Sequence, residues 1–178
     1  HITIRQIPAE KHGADKIIIK NYGFRVGSSE IQRLIRFKEK NLMTRAKYQV
    51  LVIPYDTDNG NVYYCLFRRS DMDIWQFIAG GGEDSDGSVL LSAKREANEE
   101  ANIGFDCEYI RLDTVSSIPV NCFKNAEMIW GEDCYVVPEY CFGVKADRNK
   151  IYLSEEHSAY KWCNYEDALR YLKFDSNK

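Results

Sequence analysis

The chain has 178 residues, 44% of them hydrophobic and 29% charged, with 24 Lys and Arg against 27 Asp and Glu. This is ordinary composition for one globular domain able to bury a sizeable core. A net charge of −3 argues against a nucleic-acid partner. The lack of any long apolar run or visible leader argues against a membrane, so the expected location is cytoplasmic. The six cysteines show no Cys-x-x-Cys spacing, so neither a zinc site nor a redox motif is expected.

Residues 1–47 read as an N-terminal extension of uncertain structure. Ile17-Ile18-Ile19 suits a short strand, and Tyr22 to Gly27 a turn-rich connection. Ile31 to Lys40 is amphipathic and basic, open to two readings: a solvated helix or edge strand, or a contact with polyphosphate or a second subunit of a homodimer.

From Tyr48 the pattern becomes strand-like. Tyr48 to Tyr55 is β-branched and apolar, Asp58-Asn59-Gly60-Asn61 is a hairpin signal, and Val62 to Phe67 returns as a second strand. Ile74 to Ala79 feeds a run of three glycines read as a loop, and Ser85, Asp86 and Ser88 are N-cap candidates for the helix beyond it. Cys107 to Ser117, Glu127 to Trp130 and Cys134 to Val144 are further strand candidates. Tyr165 to Leu172 is a second helix capped by Asn164. Strands with one helix among them and another after the last predict an α/β fold, an α/β/α sandwich around a mixed sheet, over residues 48–178.

The most informative stretch is Gly80 to Ile103. On its helix Glu96, Glu99 and Glu100 stand at i, i+3 and i+4 and share one face, while Leu90, Ala93, Ala97 and Ala101 form an apolar stripe. Like charges at this spacing oppose the helix by a few tenths of a kcal/mol. A divalent cation such as Mg²⁺ or Mn²⁺ reverses that penalty, and an upstream glycine carbonyl adds a further oxygen ligand. The residues alone leave this and a solvated acidic face both open.

Gly81 followed by Arg95-Glu96-Ala97-Asn98-Glu99-Glu100-Ala101-Asn102-Ile103 resembles the Nudix box. Two positions depart from it: Gly87 stands where the box has its first Glu, and Asn102 where it has its last Gly. Asn102 suits a left-handed cap. The acidic loop is about one residue longer than usual, which brings Asp86 or Asp84 near the missing Glu. Arg68-Arg69-Ser70-Asp71 with Trp75-Gln76, and Glu156-His157-Ser158-Ala159-Tyr160-Lys161-Trp162, are similar to the subgroup that cleaves dihydroneopterin triphosphate and dATP.

The resemblance implies a Nudix fold and a Mg²⁺-dependent pyrophosphohydrolase that cuts a nucleoside or pterin triphosphate to monophosphate and pyrophosphate. It implies Glu96, Glu99, Glu100 and the Gly81 carbonyl as metal ligands, Glu156 as a further ligand or general base, and Arg95 as the residue that orients the carboxylates. Arg68 and Arg69 are candidate phosphate contacts, and strand alternation sends them to opposite faces, so one of the two is expected at the ligand. Trp75, Phe77, Phe123 and Tyr160 offer flat surfaces for a ring, and His157 is an alternative acid or base. ADP-ribose-type cleavage, or a weakly active binding module marked by Gly87, are the competing functions.

Overall fold

The structure is a computed structural model that describes residues 45–178. The expectations for Ile17–Ile19, Tyr22–Gly27 and Ile31–Lys40 lie outside the described residues. Seven strands form one sheet: β1 (Arg45–Asp58), β2 (Asn61–Arg69), β3 (Trp75–Gln76), β4 (Ile78–Glu83), β5 (Tyr109–Pro119), β6 (Val136–Lys145) and β7 (His157–Cys163). Among the described residues three helices accompany it: α1 (Val89–Ala101), α2 (Ala126–Trp130) and α3 (Tyr165–Tyr171). The main path runs β3-β2-β1-β6-β5, with β4 on β1 and β7 on β2. Among the described strands β1 and β6 are the one parallel pair, so the sheet is mixed as expected.

Local chemistry explains the elements. Asn59 and Gly60 both take positive φ, 50° and 79°, and form the two-residue turn between β1 and β2. Ser88, rather than Ser85 or Asp86, caps α1, its hydroxyl accepting from the Leu91 amide at 3.2 Å. Asn102 closes α1 in the left-handed conformation at φ 57°. Asn164 caps α3 by accepting from the Asp167 amide at 2.9 Å.

The two faces of the sheet bury separate cores. Val50, Val52, Phe67, Ile78 and Phe142 pack against Ala93, Ala97 and Ala101 of α1. Leu51, Leu66, Phe77 and Cys141 pack on the other face against Ala168 and Leu172, beneath α3. This is the predicted sandwich.

Three expectations are corrected, and the segment that feeds the glycines gains detail. Glu127 to Trp130 is part of the short helix α2, not a strand; a brief apolar run carries too little periodicity to separate the two. Leu90 is 39% exposed, so the apolar stripe of α1 is made by its alanines, whose small side chains let the helix sit close to the sheet. Ile74 to Ala79 is broken at Phe77, whose amide donates to Asn177 Oδ1 at 3.0 Å instead of to a neighbouring strand. The glycine run is not a loop but the body of β4, paired with β1 through Gly81↔Gln49 and Gly80↔Val50.

Replacement of Asn102 by Ala puts a β-carbon into the left-handed region and is expected to cost about 1 kcal/mol, whereas Gly there is neutral or better. Urea midpoints of the two variants check this; equal midpoints would show that the cap carries no strain.

Candidate active site

β4 has no side chains at Gly80, Gly81 and Gly82, and three functional side chains occupy the space. The Glu96 carboxylate lies where a Gly80 β-carbon would stand, the Arg45 guanidinium does the same at Gly81, and the Tyr48 ring at Gly82. Successive residues of a strand face opposite ways. Glu96 and Tyr48 therefore lie on the α1 face and Arg45 on the other.

Arg95 ties the loop, the strand and the helix together. It holds Asp86 in a fork, Nε to Oδ1 at 2.9 Å and Nη2 to Oδ2 at 3.1 Å. Its Nη2 also donates to the Gly81 carbonyl at 2.8 Å, and its Nη1 to Glu96 at 3.0 Å and Glu99 at 3.2 Å. Asp86 accepts further bonds from the Glu83 amide and the buried Ser92 hydroxyl, which in turn lies 2.8 Å from the Tyr48 hydroxyl. Burial acts against ionisation of Asp86, but the Arg95 and Ser92 bonds win and hold it below the usual carboxylate range.

Asp86 thus supplies the buried carboxylate partner that Gly87 lacks. Gly87 itself has φ 74°, which favours glycine, and open space around its α-carbon.

Glu100 is the buried member of the trio, 4% exposed. Its Oε2 has no hydrogen-bond partner and lies 3.7 Å from His157 Nε2. Burial, then the charges of Glu96 and Glu156, push its pKa up to about 9. Burial also raises Glu96. His157 offers no compensating charge, because burial and then Arg69 lower its pKa to about 4. A buried, unpartnered carboxyl among like charges is what a hard cation relieves, so this donor set fits Mg²⁺. Arg95 now spans Glu96 and Glu99, and among the described residues no three His, Cys, Asp or Glu side chains already converge as a closed metal shell.

Glu156 reaches this cluster because its loop is pinned at both ends. The Tyr152 and Ser154 amides donate to the Ala101 and Glu100 carbonyls at the end of α1, and Ser70 donates to the Glu155 and Glu156 carbonyls. Glu156 is exposed to solvent, and its charge is felt by both Glu96 and Glu100.

The two arginines take different partners. Arg69 is held by Asp71 through two 2.7 Å bonds and interacts electrostatically with Glu100 and Glu156, whereas Arg68 pairs with Asp73 at 2.9 Å. The aromatic candidates are not gathered at the carboxylates. Phe77 is 3% exposed in the α3-side core, and Trp75 lies beneath Lys161 with Tyr171 beside it. Tyr160 is 40% exposed on β7, opposite Phe67.

Arg45 escaped the sequence reading, since a basic residue at the start of a strand carries no local signal. Its guanidinium lies 5.3 Å and 5.8 Å from the ring centres of Phe123 and Trp130, and it donates to Gln49 at 3.2 Å.

The NUDIX domain family profile matches residues 46–178. The chain belongs to this family. With that membership comes its class, the hydrolases acting on phosphoric anhydride bonds. The dihydroneopterin triphosphate diphosphatase of Escherichia coli K12 is 27% identical over 142 residues, covering 78% of this chain and 92% of its own. A crystallised NUDIX-family protein of Listeria monocytogenes is 41% identical with a TM-score of 0.64, over 74% of this chain and 86% of that one. The structure of the E. coli dihydroneopterin triphosphate pyrophosphohydrolase superposes with a TM-score of 0.58 at 24% identity, over 76% of this chain and 92% of that one, a likeness of fold. No helix among the described residues is long and apolar enough to cross a membrane.

Two predictions follow from this Nudix geometry. Asp86→Ala removes the bidentate partner of Arg95 and is expected to lower both the melting temperature and turnover, while Gly87→Glu gains nothing because Asp86 already holds the arginine. A Gly87→Glu variant faster than the parent would overturn that assignment.

Glu100 carries the second. Its folded pKa of about 9 lies above the ordinary carboxylate value of about 4.3, so its contribution to stability is present at low pH and lost as pH rises toward 9. With chelator present, Glu100→Gln is therefore expected to melt above the parent at pH 8 and to lose the stabilisation that added Mg²⁺ gives the parent.

Proposed function

We propose that this Nudix domain is a Mg²⁺-dependent pyrophosphohydrolase acting on a nucleoside or pterin triphosphate of the dATP or dihydroneopterin triphosphate type. The observation that carries this reading is the buried Glu100 carboxyl with its unpartnered Oε2, within the electrostatic reach of Glu96 and Glu156 and on the same helix as the Arg95 that holds Glu96 and Glu99. The 27% identity to the E. coli diphosphatase, across most of both chains, supports the triphosphate class.

Glu96, Glu99 and Glu100 would hold the metal, with the Gly81 carbonyl contributing its second lone pair beside the Arg95 bond. When bound, Mg²⁺ offsets charge on adjacent phosphates and lowers the pKa of a coordinated water. Arg95 keeps Glu96 and Glu99 aligned along the helix. Glu156, on its pinned loop, accepts the proton of the attacking water. Arg69, rather than Arg68, meets the phosphate oxygens, being the arginine on the carboxylate side of the sheet. Water attacks phosphorus, the P–O bond of the α–β bridge breaks, and the bridging oxygen leaves with pyrophosphate.

The test measures pyrophosphate and orthophosphate release from dihydroneopterin triphosphate, the four dNTPs and ADP-ribose, with Mg²⁺ and with chelator. Metal-dependent pyrophosphate release from a triphosphate is the expected result. AMP and ribose phosphate from ADP-ribose would overturn the substrate class, and silence with ligand binding intact would overturn the enzyme reading in favour of a binding module. Glu156→Gln is expected to lower kcat roughly 10²- to 10⁴-fold with KM little changed. A fully active variant would remove Glu156 as the base.

A further inference from the structure

Two hydroxyls stand behind the Arg95 network, and the anhydride chemistry leaves both unused. Ser92 of α1 is fully buried, its hydroxyl 2.6 Å from Asp86 Oδ2 and 2.8 Å from the Tyr48 hydroxyl. Tyr48 belongs to β1, and its half-buried ring meets the Tyr140 ring edge to face, with centres 6.1 Å apart. A β-carbon at Gly82 would meet the hydroxyl end of that ring, so the missing side chain is what lets Tyr48 reach the helix. The chain Tyr48–Ser92–Asp86–Arg95 thus links sheet, helix and acidic loop. It ends on Glu96, Glu99 and the Gly81 carbonyl.

Hydrogen counting fixes the direction of this chain. Asp86, held below the usual carboxylate range, is ionised and can only accept. Its two oxygens take Arg95 Nε and Nη2, the Glu83 amide and the Ser92 hydroxyl, the last being the shortest of these bonds. A hydroxyl has one proton to give, so Ser92 donates to Asp86 and Tyr48 must donate to Ser92. Bonds that point one way polarise one another, and each strengthens the next. The competing acceptor for Ser92 is the Ser88 carbonyl one turn back, at 3.3 Å. Without the Tyr48 donor, Ser92 is free to turn toward that carbonyl, and Asp86 loses its shortest bond.

We propose that Tyr48 and Ser92 are positioning residues, whose hydroxyls fix the Asp86 carboxylate and through it the angle at which Arg95 presents Glu96 and Glu99 to the metal. Neither hydroxyl touches substrate or metal. Tyr48 acts through Ser92, Ser92 through Asp86, and Arg95 carries the effect to the carboxylates. The inference rests on the Mg²⁺ reading above for its metal end alone, since the hold on Arg95 belongs to the chain before any metal binds.

The test compares the full-length parent with Tyr48→Phe, Ser92→Ala and the double variant. Tyr48→Phe keeps the ring over Gly82 and removes only the hydroxyl. In chelator, exchange of the Arg95 Nε–H with solvent, followed by nitrogen-resolved NMR, reads the hold of Asp86, because that N–H donates to Asp86 Oδ1. Exchange is expected to quicken roughly 5- to 10-fold in Tyr48→Phe and further in Ser92→Ala, with the double variant no faster than Ser92→Ala. The Mg²⁺ concentration giving half of the thermal stabilisation is expected to rise roughly 10-fold in Ser92→Ala. Turnover lost at low Mg²⁺ then returns at saturating Mg²⁺, with KM for the triphosphate unchanged. A purely structural role would lower the melting temperature in chelator and leave the Mg²⁺ midpoint where it was.

Unchanged Arg95 exchange in either single variant, an unmoved Mg²⁺ midpoint, or additive effects in the double variant would overturn the proposal. Tyr48→Phe decides on its own if Ser92→Ala does not fold. Faster exchange in variants of a parent that ignores Mg²⁺ would sink the metal reading and leave the hydroxyl chain standing. A Mg²⁺-stabilised parent whose variants exchange at its own rate would sink the hydroxyl chain alone.

Discussion

The carboxylate-rich face exists because Arg95 is there. One guanidinium, 18% exposed, holds Asp86, Glu96 and Glu99 and the Gly81 carbonyl, which belong to the acidic loop, the helix and β4. Burial acts against its charge, but Asp86 and Glu96 keep its pKa above the usual arginine range. Lysine would not serve, since only the planar fork meets a bidentate carboxylate and two further acceptors at once. The loop accommodates this by moving its acid one position, from Gly87 to Asp86, while Gly87 takes the left-handed conformation that ends the 3₁₀ turn. Arg95 thus keeps a bidentate carboxylate partner although Gly87 stands at the motif position.

Where a feature depends on residues close in sequence, the chain alone was enough to read it. The Asn59-Gly60 hairpin, the caps Ser88, Asn102 and Asn164, and the acidic face of α1 all follow from backbone preference and helical spacing. The split of Arg68 and Arg69 followed from strand alternation. What could not be read depends on partners far along the chain. Glu127 to Trp130 is short and apolar, and Trp130 donates its indole N–H to the Arg45 carbonyl, a contact across 85 positions. Arg45 gains meaning only when β4 brings Gly81 beneath it and α2 brings Trp130 alongside.

The glycine run shows how misleading a purely local reading becomes. Three successive glycines read as a flexible loop, yet they form a paired strand from which side chains are excluded because others need the space. Since the pleat alternates, Gly80 and Gly82 admit Glu96 and Tyr48 on one face while Gly81 admits Arg45 on the other. The same strand therefore admits a carboxylate and a phenol on the α1 face and a guanidinium on the other.

Two carboxyls, Glu100 and Glu139, lie buried on opposite faces with an oxygen left unpartnered, a condition that costs free energy in any folded protein. Apolar residues of similar size would stabilise either position better if packing were the only demand. Continuous apolar burial by Val50 to Val52, Phe67, Phe142 and Val144 offsets that cost. The difference in what surrounds them separates their tasks. Like charges crowd Glu100, the condition a cation relieves, whereas Glu139 has only an amide and a hydroxyl beside it.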